Sequence, residues 1–79
     1  MTLLGGKIGE TYTVQALNLD IAVRRRLEAL GLTMGTDVTV LNRNRGGAVI
    51  VMVRGSRLAV GKKIAETIII LSANVKGEK

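Results

Sequence analysis

The side chains that most often carry out chemistry in proteins are scarce in this sequence. Its 79 residues include no histidine and no cysteine, so one chain has no imidazole or thiolate for zinc or haem. Its six carboxylates are scattered and form no Asp-rich loop of the calcium-binding type: Glu10, Asp20, Glu28, Asp37, Glu66 and Glu78. Ser56 and Ser72 have no histidine to activate a hydroxyl for nucleophilic attack. We therefore predict a protein that is not an enzyme, with no catalytic residue, metal site or cofactor.

Positive charge is the property that points to a partner. Twelve Lys and Arg oppose six Asp and Glu, so the net charge is +6. This charge suits an acidic protein face, a nucleic acid or an anionic membrane surface, although it also simply keeps a small domain soluble. A small barrel that binds nucleic acid adds aromatic side chains on which bases stack, and Tyr12 is the only aromatic residue here.

The arginines fall into two groups. Arg24, Arg25 and Arg26 are consecutive, and on a helix they spread over about 200° of arc, so they cannot all contact one ligand. They are either a solvated helix face or part of a docking surface for an acidic partner. A second basic patch could form near the predicted hairpin ends from Arg43, Arg45, Arg54 and Arg57.

A short helix positions the arginine run. Asn18 or Asp20 can cap its first turn, because either side chain can accept a bond from an unpaired backbone N–H. Val23, Leu27 and Leu30 recur at helical spacing and are expected to share the buried face. The helix is predicted to run to about Leu30 and to dock on a sheet, since so short a helix is marginal alone.

Two glycines shape the end of this helix. Gly31 follows the last apolar position, where a left-handed residue would stop the helix, and Leu32 can then pack back on Leu27. Gly35 breaks the chain again before the next strand. The sequence thus predicts a helix, a glycine stop and a turn that leads into a strand.

Five segments have the composition of short strands. They are residues 10–17, 36–43, 48–53, 57–60 and 67–71. Ala48 to Val53 has no polar alternation and is expected to be covered on both faces, and Gly55-Ser56 is expected to form a two-residue hairpin turn. Residues 61–66 read as one helical turn. We predict a mainly β fold, a small SH3-like five-stranded barrel with one short helix in the first long connection and a helical turn before the last strand.

The chain is short enough for one domain. We predict a single domain over residues 1–72 and a flexible C-terminal tail over residues 73–79. The N-terminus has no signal-peptide pattern, and the longest apolar run has six residues, against roughly 20 needed to span a bilayer. These features predict a soluble cytoplasmic protein without membrane insertion.

Three motifs occur in an order that resembles a known family. Arg26 to Thr36 resembles the pattern Arg-Leu-x-x-Leu-Gly-Leu-x-x-Gly followed by a valine-rich strand. Arg54 to Val60 and Ala65 to Ile70 match a glycine hairpin with a Leu-Ala-aliphatic strand and an Ala-x-x-Ile-x-aliphatic ending. Together they resemble the ferrous iron transport protein A family, FeoA, over about residues 2 to 71. Family members often have proline where this chain has Met34.

The resemblance implies a cytoplasmic SH3-like barrel that assists the membrane ferrous iron transporter, FeoB, by contacting its cytoplasmic GTP-binding region. The predicted contact lies at the helix end and its turn: Arg24, Arg25, Leu32 and Met34. Core packing is the competing interpretation for Leu32 and Met34.

A related barrel forms the C-terminal domain of some iron-dependent repressors, so the fold leaves alternatives open. One is a small basic barrel that binds nucleic acid through its charge. Another is a regulatory module, related to that repressor domain, that associates with itself or with a repressor partner. A monomer is the favoured oligomeric state.

Overall fold

The computed structural model describes residues 1–73, which form one five-stranded antiparallel sheet, two short α-helices and a 3-10 helix over Leu3–Gly5. In chain order the elements are β1 (Thr11–Leu17), α1 (Ile21–Ala29), β2 (Asp37–Arg43), β3 (Val49–Val53), β4 (Ser56–Val60), α2 (Lys62–Ala65) and β5 (Ile68–Ser72). Each predicted strand and helix is present, with ends shifted by one or two residues. Residues 74–79 of the predicted tail lie outside the described residues.

The strands are arranged in the order β4-β3-β2-β1-β5. The register shifts between Val14 and Ala16 in β1 and between Val40 and Asn42 in β2. Such bulges bend a strand and increase its twist, which curves the sheet around its own core. β4 and β5 are the two edge strands.

The inner face of the curved sheet carries an almost entirely aliphatic core. Period-two alternation places it there, as in β3, where Val49, Val51 and Val53 are buried. The buried side chains are Leu3, Tyr12, Val14, Leu17, Leu27, Leu32, Val38, Val40, Val49, Val51, Val53, Val60, Ala65, Ile68 and Ile70. The prediction that β3 is covered on both faces is wrong: Ile50 and Met52 point outward and are only half-buried.

The turn between β3 and β4 differs from the predicted one by one residue. Val53 pairs with Ser56, so the two turn residues are Arg54 and Gly55 rather than Gly55 and Ser56. Their φ values are 52° and 81°. Two positive φ values define the type I′ turn, whose twist matches that of the flanking strands. Arg54 is the only non-glycine residue with positive φ among residues 1–73.

The N-terminal segment, where no helix was predicted, is fastened to the barrel. The guanidinium of Arg43 donates hydrogen bonds to the carbonyls of Leu4 and Gly6, and the Lys7 N–H donates to the Tyr12 hydroxyl at 2.8 Å. The Ile70 N–H donates to the Met1 carbonyl at 2.9 Å, beside a bridge between Thr2 and Ile69. The N-terminus therefore covers part of the β5 edge.

Neither helix is suited to crossing a bilayer. Within residues 1–73, no helix is long and apolar enough to do so.

Candidate functional site

The end of α1 adopts the predicted glycine stop in full detail. Asp20 caps the first turn, with its carboxylate accepting the Val23 N–H at 3.1 Å. At the other end, the Gly31 N–H donates to the Glu28 carbonyl and the Leu32 N–H donates to the Leu27 carbonyl, both at 3.0 Å. These two bonds form a Schellman motif around a residue with φ of 101°, Gly31.

The next turn is held against the sheet. The Thr36 N–H donates to the Thr33 carbonyl at 3.1 Å, and Gly35 has φ of 86°, as the third residue of a type II turn requires. Val14 in β1 anchors the turn from outside, since its carbonyl accepts the Gly35 N–H at 2.8 Å and its N–H donates to the Thr36 carbonyl at 2.9 Å. Met34, the second residue of this turn, is 68% exposed. A fixed backbone therefore presents an apolar side chain to solvent.

The predicted contact residues divide between the surface and the core. Arg24, Arg25 and Met34 are exposed, whereas Leu32 is completely buried. Leu32 as a contact residue is corrected accordingly: the Schellman motif turns its side chain back onto the core beside Leu27. Core packing, the competing interpretation, applies to Leu32 and not to Met34.

The structure adds two residues to this region. Leu30, expected on the buried face of α1, is 55% exposed because it is the capping residue, where the chain already leaves the helix. Arg54 reaches the region from the β3–β4 hairpin: a Cβ on Gly31 would lie 3.0 Å from Arg54 Cδ. No signal along the chain links Arg54 to Gly31, since their contact depends on how the hairpin folds over the helix end. We call Arg24, Arg25, Leu30, Met34 and Arg54 the helix-end patch.

The electrostatics of the helix-end patch are simple. The Arg24 guanidinium lies 3.4 Å from the Glu28 carboxylate across one helical turn. The two side chains are 45% and 37% exposed, so solvent screens the pair and it contributes at most about 0.5 kcal/mol. The exposed side chains of the patch are thus three cations and two apolar residues. Within residues 1–73, no cluster of three His, Cys, Asp or Glu could hold a metal ion.

The second predicted basic patch does not form as one surface. Arg43 and Arg45 lie at the β2–β3 end of β3, and Arg54 and Arg57 lie at or beside its β3–β4 end. Along β3, Arg43 pairs with Val49 and Arg57 pairs with Met52, three residues or roughly 10 Å apart. The Arg43 guanidinium is bonded to the Leu4 and Gly6 carbonyls. The single aromatic residue, Tyr12, is only 4% exposed and offers no surface for stacking bases.

Comparisons with known proteins agree with the sequence and the fold. The FeoA domain model matches residues 1–71. The chain is 32% identical over 72 residues to a Methanocaldococcus jannaschii protein named Fe(2+) transport protein A, covering 91% of this chain and 87% of that protein. The solution NMR structure of FeoA protein from Chlorobium tepidum superposes with a TM-score of 0.86 at 32% identity, covering 92% of this chain and 70% of that one. This likeness confirms the predicted SH3-like fold.

A second kind of protein shares only the fold. A manganese-dependent transcriptional repressor superposes with a TM-score of 0.82 at 23% identity, covering 91% of this chain and 41% of the repressor chain. Fold likeness at this identity carries no function by itself.

Proposed function

The chain belongs to the FeoA family, and from this premise we propose that it is a non-catalytic accessory protein of ferrous iron uptake. In this proposal it acts in the cytoplasm, where it docks on the GTP-binding region of a FeoB-type membrane transporter. The helix-end patch is the proposed contact, with Arg24, Arg25 and Met34 carrying it. Leu30 and Arg54 extend the same surface.

One observation supports this surface above the others: Met34 is 68% exposed although its turn makes two backbone hydrogen bonds to Val14 of β1. Because the backbone of the turn is already fixed, only the Met34 side chain has to be ordered on binding. Methionine is also adaptable in shape, which suits a contact with a surface that changes conformation. The neighbouring arginines favour an acidic partner face and would make association depend on salt.

The test is an amide NMR titration of the labelled protein with the cytoplasmic domain of its cognate transporter. Physiological salt is used, because a Debye length of about 8 Å suppresses weak attraction by net charge alone. Binding is expected to shift signals around residues 24–36 and residue 54. Met34→Glu and Arg24→Glu are expected to weaken binding and to reduce iron uptake in cells.

Two matched variants serve as controls. Ile8→Glu places the same acidic side chain at an apolar residue that is 56% exposed but belongs to the N-terminal turn. Arg45→Glu makes the same charge reversal in the β2–β3 hairpin. If Met34→Glu and Arg24→Glu bind the folded, nucleotide-bound domain as tightly as the unmodified protein, the helix-end patch is the wrong surface.

The two alternatives have weaker support. Nucleic-acid binding lacks an exposed aromatic platform, since Tyr12 is buried. The regulatory-module alternative rests on a fold likeness to a repressor at 23% identity. Sedimentation at several protein concentrations would reveal the self-association that such a module requires.

A further inference from the structure

The strand at one edge of the sheet remains open. β4 pairs with β3 on one side, and no other strand of the described sheet pairs with it. The opposite edge is different, because Met1 and Thr2 bond to β5 there. An open edge presents unpaired backbone donors and acceptors to another extended chain.

The hairpin register determines which groups of β4 face outward. In a two-residue hairpin the flanking pair, Val53 and Ser56, is hydrogen-bonded, and bonded and non-bonded pairs then alternate along the ladder. Arg57 and Ala59 are therefore in the non-bonded pairs, with their N–H and carbonyl groups pointing away from β3. Within residues 1–73, neither backbone takes part in a turn, loop or cap hydrogen bond.

A shallow groove runs beside this edge on the outer face of the sheet. It has a volume of about 380 Å³ and is lined by Leu41, Asn42, Ile50 and Arg57. The bulge in β2 sets Leu41 and Asn42 together near Ile50, which opens the floor of the groove. Ala59 lies opposite Ile50 and is exposed. Because its side chain is small, it does not block access to the groove from the open edge.

The charge of this half of the chain is one-sided. From residue 38 to residue 65 the sequence has six cations and no carboxylate: Arg43, Arg45, Arg54, Arg57, Lys62 and Lys63. Arg57 is exposed on the edge strand itself and forms no salt bridge with any of residues 1–73. A second copy of β4 would bring two such arginines together, which disfavours self-pairing. A carboxylate on an incoming strand would instead be attracted by these cations. No carboxylate among residues 38–65 would compete with it for them.

We propose that the β4 edge binds an extended acidic peptide segment of a partner protein, which adds to the sheet as a sixth strand beside Arg57 and Ala59. The strand is antiparallel, the more stable pairing per residue. Its outer face carries an apolar residue opposite Ala59, over the groove, and two residues later a carboxylate opposite Arg57. The recognised pattern is apolar-x-acidic. This surface shares no residue with the helix-end patch, so the inference does not rest on the proposed function.

The probe is a synthetic peptide that repeats the sequence Val-Thr-Glu-Thr. Valine and glutamate then lie on one face of the strand, and threonine lies on the other. We expect amide shifts confined to β3, β4 and residues 41–42. A peptide with glutamine for glutamate is expected to bind more weakly, and so is one whose edge-facing N–H groups are methylated. Addition of a strand to a sheet edge uses those N–H groups, whereas attraction between charges does not.

Two variants separate strand addition from simple attraction. Ala59→Pro removes an outward N–H but leaves the β3–β4 ladder intact, because proline is accepted on edge strands where its nitrogen faces solvent. It should weaken binding about tenfold, the effect of losing one good hydrogen bond. Arg57→Glu should abolish the preference for glutamate over glutamine, whereas Arg45→Glu, in the distant hairpin, should leave that preference unchanged.

Several results would overturn the proposal. Folded Ala59→Pro could bind the peptide as well as the unmodified chain, or the N-methylated peptide could bind undiminished. Arg45→Glu could weaken binding as much as Arg57→Glu, or a single-stranded RNA could displace the peptide at equal charge concentration. The last two would reveal a general polyanion surface. Ala59→Pro should bind the transporter domain normally, so failure of either proposal is recognised separately.

Discussion

Replacing Gly31 by alanine tests whether the backbone conformation at the helix end, and not only its packing, determines the stability of the domain. Gly31 has φ of 101°, a conformation that side chains with a Cβ rarely adopt. The added Cβ would also lie 3.0 Å from Arg54 Cδ, so the Arg54 side chain must move. The substitution therefore combines backbone strain with the loss of a contact.

Two further glycines separate these contributions. Gly35 has φ of 86°, and a Cβ added there would meet no described atom within 4 Å, so Gly35→Ala isolates the strain. Gly5 has equally free space for a Cβ and no positive φ, so Gly5→Ala has neither penalty. A left-handed non-glycine residue costs about 1–3 kcal/mol, partly offset by about 0.4–1 kcal/mol from a less flexible unfolded chain. We expect destabilisation of about 2 kcal/mol for Gly31→Ala and about 1–2 kcal/mol for Gly35→Ala, with slight stabilisation for Gly5→Ala.

Thermal and urea unfolding followed by far-UV circular dichroism measures these differences, because the chain has no tryptophan to report by fluorescence. For a domain of this size, 1 kcal/mol shifts Tm by about 4–8 °C, so Gly31→Ala should lower Tm by about 10 °C. Gly31→Asn should lose less stability than Gly31→Ala, since asparagine tolerates left-handed conformations better.

The reasoning is refuted if Gly35→Ala is as stable as Gly5→Ala, because the conformational penalty would then be absent where it is isolated. A larger loss for Gly31→Asn than for Gly31→Ala would show that crowding by Arg54 dominates. Equal losses for Gly31→Ala and Gly35→Ala would show that Arg54 moves aside freely.

Two other substitutions are expected to change stability in opposite directions. Met34→Pro should stabilise the domain by about 0.4–1 kcal/mol, because proline suits the second position of a type II turn and restricts the unfolded chain. A Tm below that of the unmodified protein would show that the turn differs from the one described. Tyr12→Phe should destabilise the domain by about 1 kcal/mol, because the Lys7 N–H loses its hydroxyl acceptor at 2.8 Å while the ring keeps its packing. An unchanged urea midpoint would mean that water replaces the hydroxyl as the acceptor.

Much of the fold could be predicted because its signals are local. The cap at Asp20, one of the two candidates with Asn18, the glycine stop at Gly31 and the alternation of Tyr12 and Val14 each act over a few residues. The family motifs likewise combined short segments in a fixed order. Hydrogen bonds to nearby backbone groups and φ preferences do not depend on distant partners, so these elements were predicted correctly.

The errors lie where distant parts of the chain meet. Leu30 is exposed and Leu32 is buried, although both are leucines flanking the same glycine. Which of them enters the core depends on where the sheet lies relative to the end of α1. The hairpin turn lies one residue earlier than predicted for a related reason. The pairing of β3 with β4 determines which residues are left to form the turn.

The number and kind of elements, the lack of histidine and cysteine, and the excess of positive charge all follow from the order and types of the amino acids. Folding in three dimensions was needed to bring Arg54 onto Gly31, to hold Met34 in solvent, and to turn the unpaired backbone groups of Arg57 and Ala59 outward. Composition and local conformation are properties of a few neighbouring residues, whereas exposure and pairing are properties of the whole packed chain.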